Sequence, residues 1–190
     1  MRPLISSLVF ASLFVAGLAV DLHAAPSVEI SRRIFGLFEP SRVDDLKQVV
    51  PTLPGVELLQ VDYASTVAVW RLDPALVMTN YNAKKPPTEE QLAQRLDSLL
   101  GAASTRTFAL KPLSGIPAEQ VTLVQLRPRI LDCRGCRFAV YNGIAKLDGV
   151  ESATVGDDGL ISARIDPTKT DQKTLRTALG KVRGLEHPIK

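Results

Sequence analysis

Apolar and polar positions in the second half of the chain predict a regular succession of strands and helices. The predicted elements are a strand at 121–130, a helix at 136–147, a hairpin of 151–155 and 160–165, a helix opening at Asp171 and a short strand at 186–189. The prediction of the first helix depends on apolar residues three or four positions apart, Val140, Ile144 and Leu147. The prediction of the hairpin depends on apolar and polar residues that alternate with period two on either side of the turn sequence GDDG.

This order of elements predicts a fold class. Strand, helix, strand, strand, helix, strand is the split βαβ pattern, in which two helices lie on one face of an antiparallel sheet. We therefore expect an α+β protein with a ferredoxin-like βαββαβ unit in the second half of the chain.

The first half repeats the pattern of the second. Leu46 and Val50 lie ninety-four residues before Val140 and Ile144, and the sequence WRLDP at 70–74 echoes ARIDP at 163–167. Self-similarity at such a distance indicates two copies of one unit. The chain is thus predicted to form two tandem ferredoxin-like domains.

The repeat also fixes the expected domain limits. We predict a signal peptide at 1–25, a first domain at 26–113 and a second domain at 120–190, with the turn-rich stretch PLSGIPA as the linker. In the first domain, two capping boxes are expected at helix starts, one formed by Ser41 with Asp44 and one by Thr88 with Gln91.

The N-terminus has the pattern of a secretory signal peptide. A positive start is followed by an apolar run from Leu4 to Val20, and Ala24 or Ala25 offers a small residue for cleavage. The alternative is an uncleaved membrane anchor, although the run is short for a membrane span. We expect export to a periplasmic or secreted location, without membrane attachment after cleavage.

Composition and motifs argue against two classes of function, nucleic-acid binding and enzyme catalysis. Charged residues make up 23% of the chain and the net charge is +3 with no basic block, so nucleic acid is not an expected partner. The sequence shows no phosphate-binding glycine loop, no convincing catalytic carboxylate pair and no serine–histidine arrangement. We therefore do not expect an enzyme.

The two cysteines of the chain, Cys133 and Cys136, stand three positions apart in LDCRGCR. At a helix start, unpaired backbone N–H groups and the nearby Arg134 and Arg137 favour the thiolate form. Two thiolates suit a soft ion of low coordination number such as Cu(I) or Hg(II), whereas structural zinc normally takes four protein ligands. His187, the one histidine after the predicted signal peptide, is not expected to be a ligand.

The stretch LDCRGCRFAVYNGIAKLDGVESATV resembles the heavy-metal-associated domain family, which includes copper chaperones and periplasmic mercury-binding proteins. The likeness covers the C-x-x-C motif, the helix stripe and Gly149-Val150 after the helix. It implies a ferredoxin-like fold, Cys133 and Cys136 as ligands of Cu(I) or another soft ion such as Hg(II), and a protein partner that donates or accepts the metal.

The first domain lacks these ligands. Glu39 and Arg42 occupy the positions that correspond to the two cysteines, so this copy is predicted to bind no metal and to act as a docking surface. We expect Glu39 and Arg42 to form a surface salt bridge with each other. Tyr141 is expected on the solvent side of its helix, and Trp70 in the core or at an interface.

These observations favour an exported protein that binds a soft metal ion through two cysteines and acts in metal transport, transfer or detoxification. Two alternatives stay open. C-x-x-C at a helix start is also the arrangement of thiol–disulfide redox proteins. In an oxidising compartment, the cysteines of a structural or interaction protein would form a local disulfide.

Overall fold

The computed structural model describes residues 26–128 and 133–182, which form two α+β units in succession. The elements of the first domain are β1 (Val28–Phe35), α1 (Ser41–Val49), β2 (Val56–Asp62), β3 (Val67–Leu72), α2 (Pro74–Val77), α3 (Glu89–Ala103) and β4 (Ala109–Lys111). The elements of the second domain are β5 (Thr122–Leu126), α4 (Arg134–Ala145), β6 (Val150–Val155), β7 (Ile161–Ile165) and α5 (Gln172–Gly180). Short 3-10 turns lie at Val50–Thr52 and Ala118–Gln120.

Both sheets are antiparallel, and the three strands of the second lie in the same order as the corresponding strands of the four-stranded first sheet. The first runs β2-β3-β1-β4, with Ile30 opposite Trp70, and the second runs β6-β7-β5. This order confirms the predicted α+β fold with ferredoxin-like sheets. The strand predicted at 186–189 lies outside the described residues. Within the ranges that the structure describes, no helix is both long and apolar enough to cross a membrane.

The two helix starts in the first domain differ in their caps. Thr88 and Gln91 form the predicted capping box before α3, with Gln91 N–H donating to Thr88 Oγ1 at 3.3 Å. The box predicted for Ser41 and Asp44 is wrong, because α1 begins after Pro40 without a side-chain cap. The Ser41 hydroxyl instead donates to Glu39, 2.9 Å away.

Each domain has its own apolar core. The largest fully buried side chains of the first core include Ile34, Leu37, Leu46, Trp70, Leu72, Leu92, Leu96, Leu100 and Phe108. The second core is built by Leu126, Val140, Tyr141, Ile144, Val155, Ile161, Ile165, Leu175 and Leu179. Phe38, which follows β1 of the first domain, packs into the second core. The domains therefore share buried apolar surface at this point.

Backbone and side-chain hydrogen bonds join the domains around Phe38. The N–H of Val155 donates to the carbonyl of Phe38 at 2.6 Å, and the N–H of Gly36 donates to the Tyr141 hydroxyl at 2.7 Å. Gly36 has φ +105°, and a Cβ there would collide with the carbonyl oxygen of Thr107. The chain after β1 thus lies close to both domains.

The solvent-facing position predicted for Tyr141 is wrong. Tyr141 is 2% exposed, and its ring lies 5.1 Å from that of Phe35 and 5.7 Å from that of Phe38. The side of α4 that a single domain would leave in water is covered by the first domain. Desolvation accordingly raises the pKa of the Tyr141 hydroxyl, more than its hydrogen bond with Gly36 lowers it.

Tyr141→Phe is expected to reduce the free energy of unfolding by about 1–3 kcal/mol, because the buried N–H of Gly36 loses its acceptor. Urea unfolding measures the loss, and hydrogen exchange at the Gly36 amide should become faster. Tyr81→Phe is the control, since no hydrogen bond of the Tyr81 hydroxyl is seen within the described residues. Equal stability and equal exchange at Gly36 in Tyr141→Phe and wild type would contradict the contact.

Candidate metal centre

The two cysteines lie at the start of α4, as the sequence predicts. Cys133 is the N-cap residue with extended backbone angles, and its Sγ accepts a hydrogen bond from the backbone N–H of Cys136 at 3.0 Å. Both residues are exposed. An N–H donor and the positive end of the helix both stabilise negative charge on the Cys133 sulfur when it is reduced.

In the structure, Cys133 and Cys136 form a disulfide with a Cα–Cα distance of 5.2 Å. The two sulfur atoms are therefore close enough to act on a common atom and are reachable from solvent. Thiolates, not disulfide sulfurs, are the ligands of soft metal ions, so metal binding requires reduction of this bond. The assignment of both cysteines as metal ligands stays a prediction.

Apolar contacts deeper along α4 hold the helix start at the surface. Val140 and Ile144 are almost fully buried in the second core, whereas Cys136, about one turn before Val140, is exposed. The same stripe that predicts the helix therefore anchors its middle and leaves its first turn at the rim. Phe138, beside the cysteines, is 40% exposed and its ring lies 5.3 Å from that of Phe38.

The arginines next to the cysteines bind carboxylates of the first domain. Arg134 Nε lies 2.6 Å from Glu39 Oε1, and its Nη2 lies 2.7 Å from Asp45 Oδ2. Arg137 Nε lies 2.9 Å from Glu39 Oε2. Both oxygens of Glu39 therefore pair with guanidinium groups of the cysteine loop and helix, and its side chain is only 4% exposed.

The predicted salt bridge between Glu39 and Arg42 is wrong. Arg42 pairs with Asp45 and donates from Nε to the carbonyl oxygen of Gly36 at 3.1 Å. Its guanidinium also lies 4.1 Å from the ring centre of Phe108, a cation–π contact. Glu39 instead turns toward the second domain, where two guanidinium groups offset the cost of burying its charge.

The sequence repeat places Glu39 at the position that corresponds to Cys133, but it does not identify the side chains that pair with Glu39. The repeat offset was the available signal, since it aligns Glu39 with Cys133. Which side chain of another domain approaches a residue cannot be read from that alignment. Within the described part of the chain, no group of three or more His, Cys, Asp or Glu side chains is placed to hold a metal ion.

The ion pairs control the charge state of the two acidic residues. Burial would raise the pKa of Glu39, but hydrogen bonds from Arg137 and Ser41 and the charges of Arg134 and Arg137 outweigh it, so its pKa lies below the ordinary 4.5. Burial would also raise the pKa of Asp45, but hydrogen bonds from Arg134 and Arg42 and the charges of both groups outweigh it. The pKa of Asp45 therefore lies below the ordinary 3.8. Both groups are ionised near neutral pH.

Comparisons with solved structures find parts of two proteins, CopA and CzcP, at low identity. The water-soluble region of the P-type ATPase CopA from Bacillus subtilis is 14% identical, with 87% of this chain and 91% of that chain covered and a TM-score of 0.33. A solution structure of the N-terminal soluble domains of the same CopA is 14% identical, with 87% of this chain and 94% of that chain covered and a TM-score of 0.33. The N-terminal extension of CzcP from Cupriavidus metallidurans is 13% identical, with 82% of this chain and 96% of that chain covered and a TM-score of 0.31.

No protein-family model matches the chain, and no curated protein matches it either. Structural neighbours with TM-scores this low do not establish the fold of this chain. The assignment of a ferredoxin-like fold rests instead on the strand order and the antiparallel pairing described above.

Acidification is expected to weaken the contact between the domains. Because the pKa values of Glu39 and Asp45 are lowered in the folded protein, their stabilisation is complete above about pH 4.5 and is lost as the pH falls through the lower folded values. Urea unfolding at about pH 6, where the stabilisation is complete, and at about pH 3, below the ordinary pKa values of both groups, measures the loss in free energy.

The variant Glu39→Gln should show a smaller pH effect than wild type, since it has no charge to lose at that position. Glu29→Gln is the matched control, because Glu29 pairs with Arg71 in an exposed salt bridge on the first sheet. Its pH effect should match that of wild type. An undiminished pH effect in Glu39→Gln would show that Glu39 does not carry the acid sensitivity.

Proposed function

We propose that the protein is an exported carrier of a soft metal ion, Cu(I) or Hg(II), which Cys133 and Cys136 bind through thiolate sulfurs. The observation that supports this most is the position of the two sulfurs, both exposed at a helix start, with the Cys133 Sγ 3.0 Å from a backbone N–H. Such a place favours thiolate and leaves it open to an incoming ion. The resemblance to heavy-metal-associated domains supports the same assignment.

Exposure at the rim also suits transfer of the ion to another protein. A two-sulfur site leaves room around the ion for the thiolates of a donor or acceptor, so the ion passes by ligand exchange. No covalent bond of an organic substrate is made or broken, and we therefore propose a carrier in metal transport, transfer or detoxification rather than an enzyme. Export rests on the predicted signal peptide at 1–25, which lies outside the described residues.

A redox function is the second candidate, and the disulfide between Cys133 and Cys136 favours it. An exposed disulfide at a helix start can accept two electrons and two protons from a dithiol, which becomes a disulfide in turn. The third reading, a structural disulfide in an interaction protein, requires that the bond stay inert toward thiols. The disulfide and the metal complex are alternative states of the same two sulfur atoms.

A titration of the reduced protein with Cu(I), Hg(II) and Zn(II) under anaerobic conditions separates these functions. Native mass spectrometry should show one Cu(I) or Hg(II) per chain and weaker Zn(II) binding, because two sulfurs do not complete a zinc site. Cys133→Ser and Cys136→Ser should each lose the bound ion. His187→Gln is the control and should retain it.

Retention of the ion in both cysteine variants would refute the proposed site. Absence of binding in wild type, together with catalysed reduction of a protein disulfide at a potential near those of exchange enzymes, would support the redox function instead. A bond that stays oxidised in the presence of excess dithiol would support the structural reading.

A further inference from the structure

The charges around the two cysteines are arranged by the first domain. Arg134, the residue between the cysteines that directly follows Cys133, is bound by Glu39 and Asp45, and Arg137, directly after Cys136, is bound by Glu39. The positive charges that the motif itself supplies are thus offset by two carboxylates from outside the domain. The field at the sulfurs is less positive than the motif alone would give.

The candidate cargo ions differ in the charge that they leave on the site. Two thiolates with one Cu(I) carry a net charge of minus one, whereas two thiolates with one Hg(II) are neutral. The Cu(I) complex is therefore more negative than the Hg(II) complex by one charge, whatever the protonation state of the free thiols.

We propose that Glu39 is a specificity-determining residue, whose charge on Arg134 and Arg137 disfavours the anionic Cu(I) complex relative to the neutral Hg(II) complex. This inference rests on the proposed function. Because coupling between binding events is reciprocal, Cu(I) at the sulfurs also draws the guanidinium groups away from Glu39 and weakens the contact between the domains. Hg(II), whose complex is neutral, draws these groups away less.

Glu39 is better placed for this effect than Asp45. Its side chain is 4% exposed, so solvent screens it little, and each of its oxygens pairs with a guanidinium of the second domain. Asp45 is 35% exposed, and its Oδ2 is shared between Arg134 and Arg42. Removal of its charge would also release Arg42, whereas the guanidinium groups that pair with Glu39 both belong to the cysteine motif, and its other hydrogen bond comes from the neutral Ser41 hydroxyl.

The test compares the affinities of wild type and Glu39→Gln for Cu(I) and for Hg(II), each set by a competing chelator, at about pH 6 in the reduced full chain. The ratio of the Cu(I) affinity to the Hg(II) affinity should rise about three- to tenfold in Glu39→Gln, the size expected for one partly screened charge several ångströms away. Glu29→Gln, at the far end of β1, is the control and should change neither affinity.

A second variant keeps the test decisive if Glu39→Gln fails to fold. Arg134→Gln removes a positive charge and should act in the opposite direction, with a lower ratio of Cu(I) affinity to Hg(II) affinity than wild type. The ratio of the two affinities is the readout, because a loss of structure would lower both alike.

An unchanged ratio of Cu(I) affinity to Hg(II) affinity in the two variants would overturn the role of Glu39. Failure of the proposed function looks different, since wild type itself would then bind neither ion. An increase in added salt should shrink the Cu(I) effect of Glu39→Gln, as screening of a charge–charge interaction requires.

Discussion

The ion pairs between Glu39 and the two arginines beside the cysteines determine how the two halves of this protein meet. A carboxylate with 4% of its side chain exposed is tolerated only if its charge is paired, and Arg134 and Arg137 supply the partners. The apolar contacts of Phe38 and Tyr141 close the same interface. The candidate metal site thus belongs to the second domain, while its electrostatic surroundings are shared with the first.

The degenerate copy gains a role from this arrangement. In the first domain, the position that corresponds to Cys133 holds Glu39, which cannot join a two-sulfur site but can bind the arginines of the intact motif. The first domain, which has no cysteines at these positions, thus contacts the cysteine motif of the second through a carboxylate that pairs with both of its arginines.

Much of the fold was predictable because its signals are local. The stripe through Val140 and Ile144 and the alternation of 151–155 predict α4 and the hairpin, and the repeat extends the same fold to the first domain. The start of α4 followed from the position of the cysteines before that stripe. The capping box of Thr88 was predictable for the same reason, since both partners lie within one turn.

What the sequence could not show depends on contacts between the domains. Tyr141 lies next to the apolar stripe of α4 and was expected in solvent, yet the first domain buries it. Glu39 was assigned to its neighbour Arg42, although its partners lie about a hundred residues further along the chain. Helical periodicity tells which face of α4 packs in its own domain, but not which other face a second domain covers.

X-ray absorption at the copper edge of the reduced protein loaded with Cu(I) tests the account most directly, because it counts the atoms bound to the metal. The account predicts two sulfur atoms and no oxygen or nitrogen bound to copper. A carboxylate oxygen or an imidazole nitrogen bound to copper would contradict it.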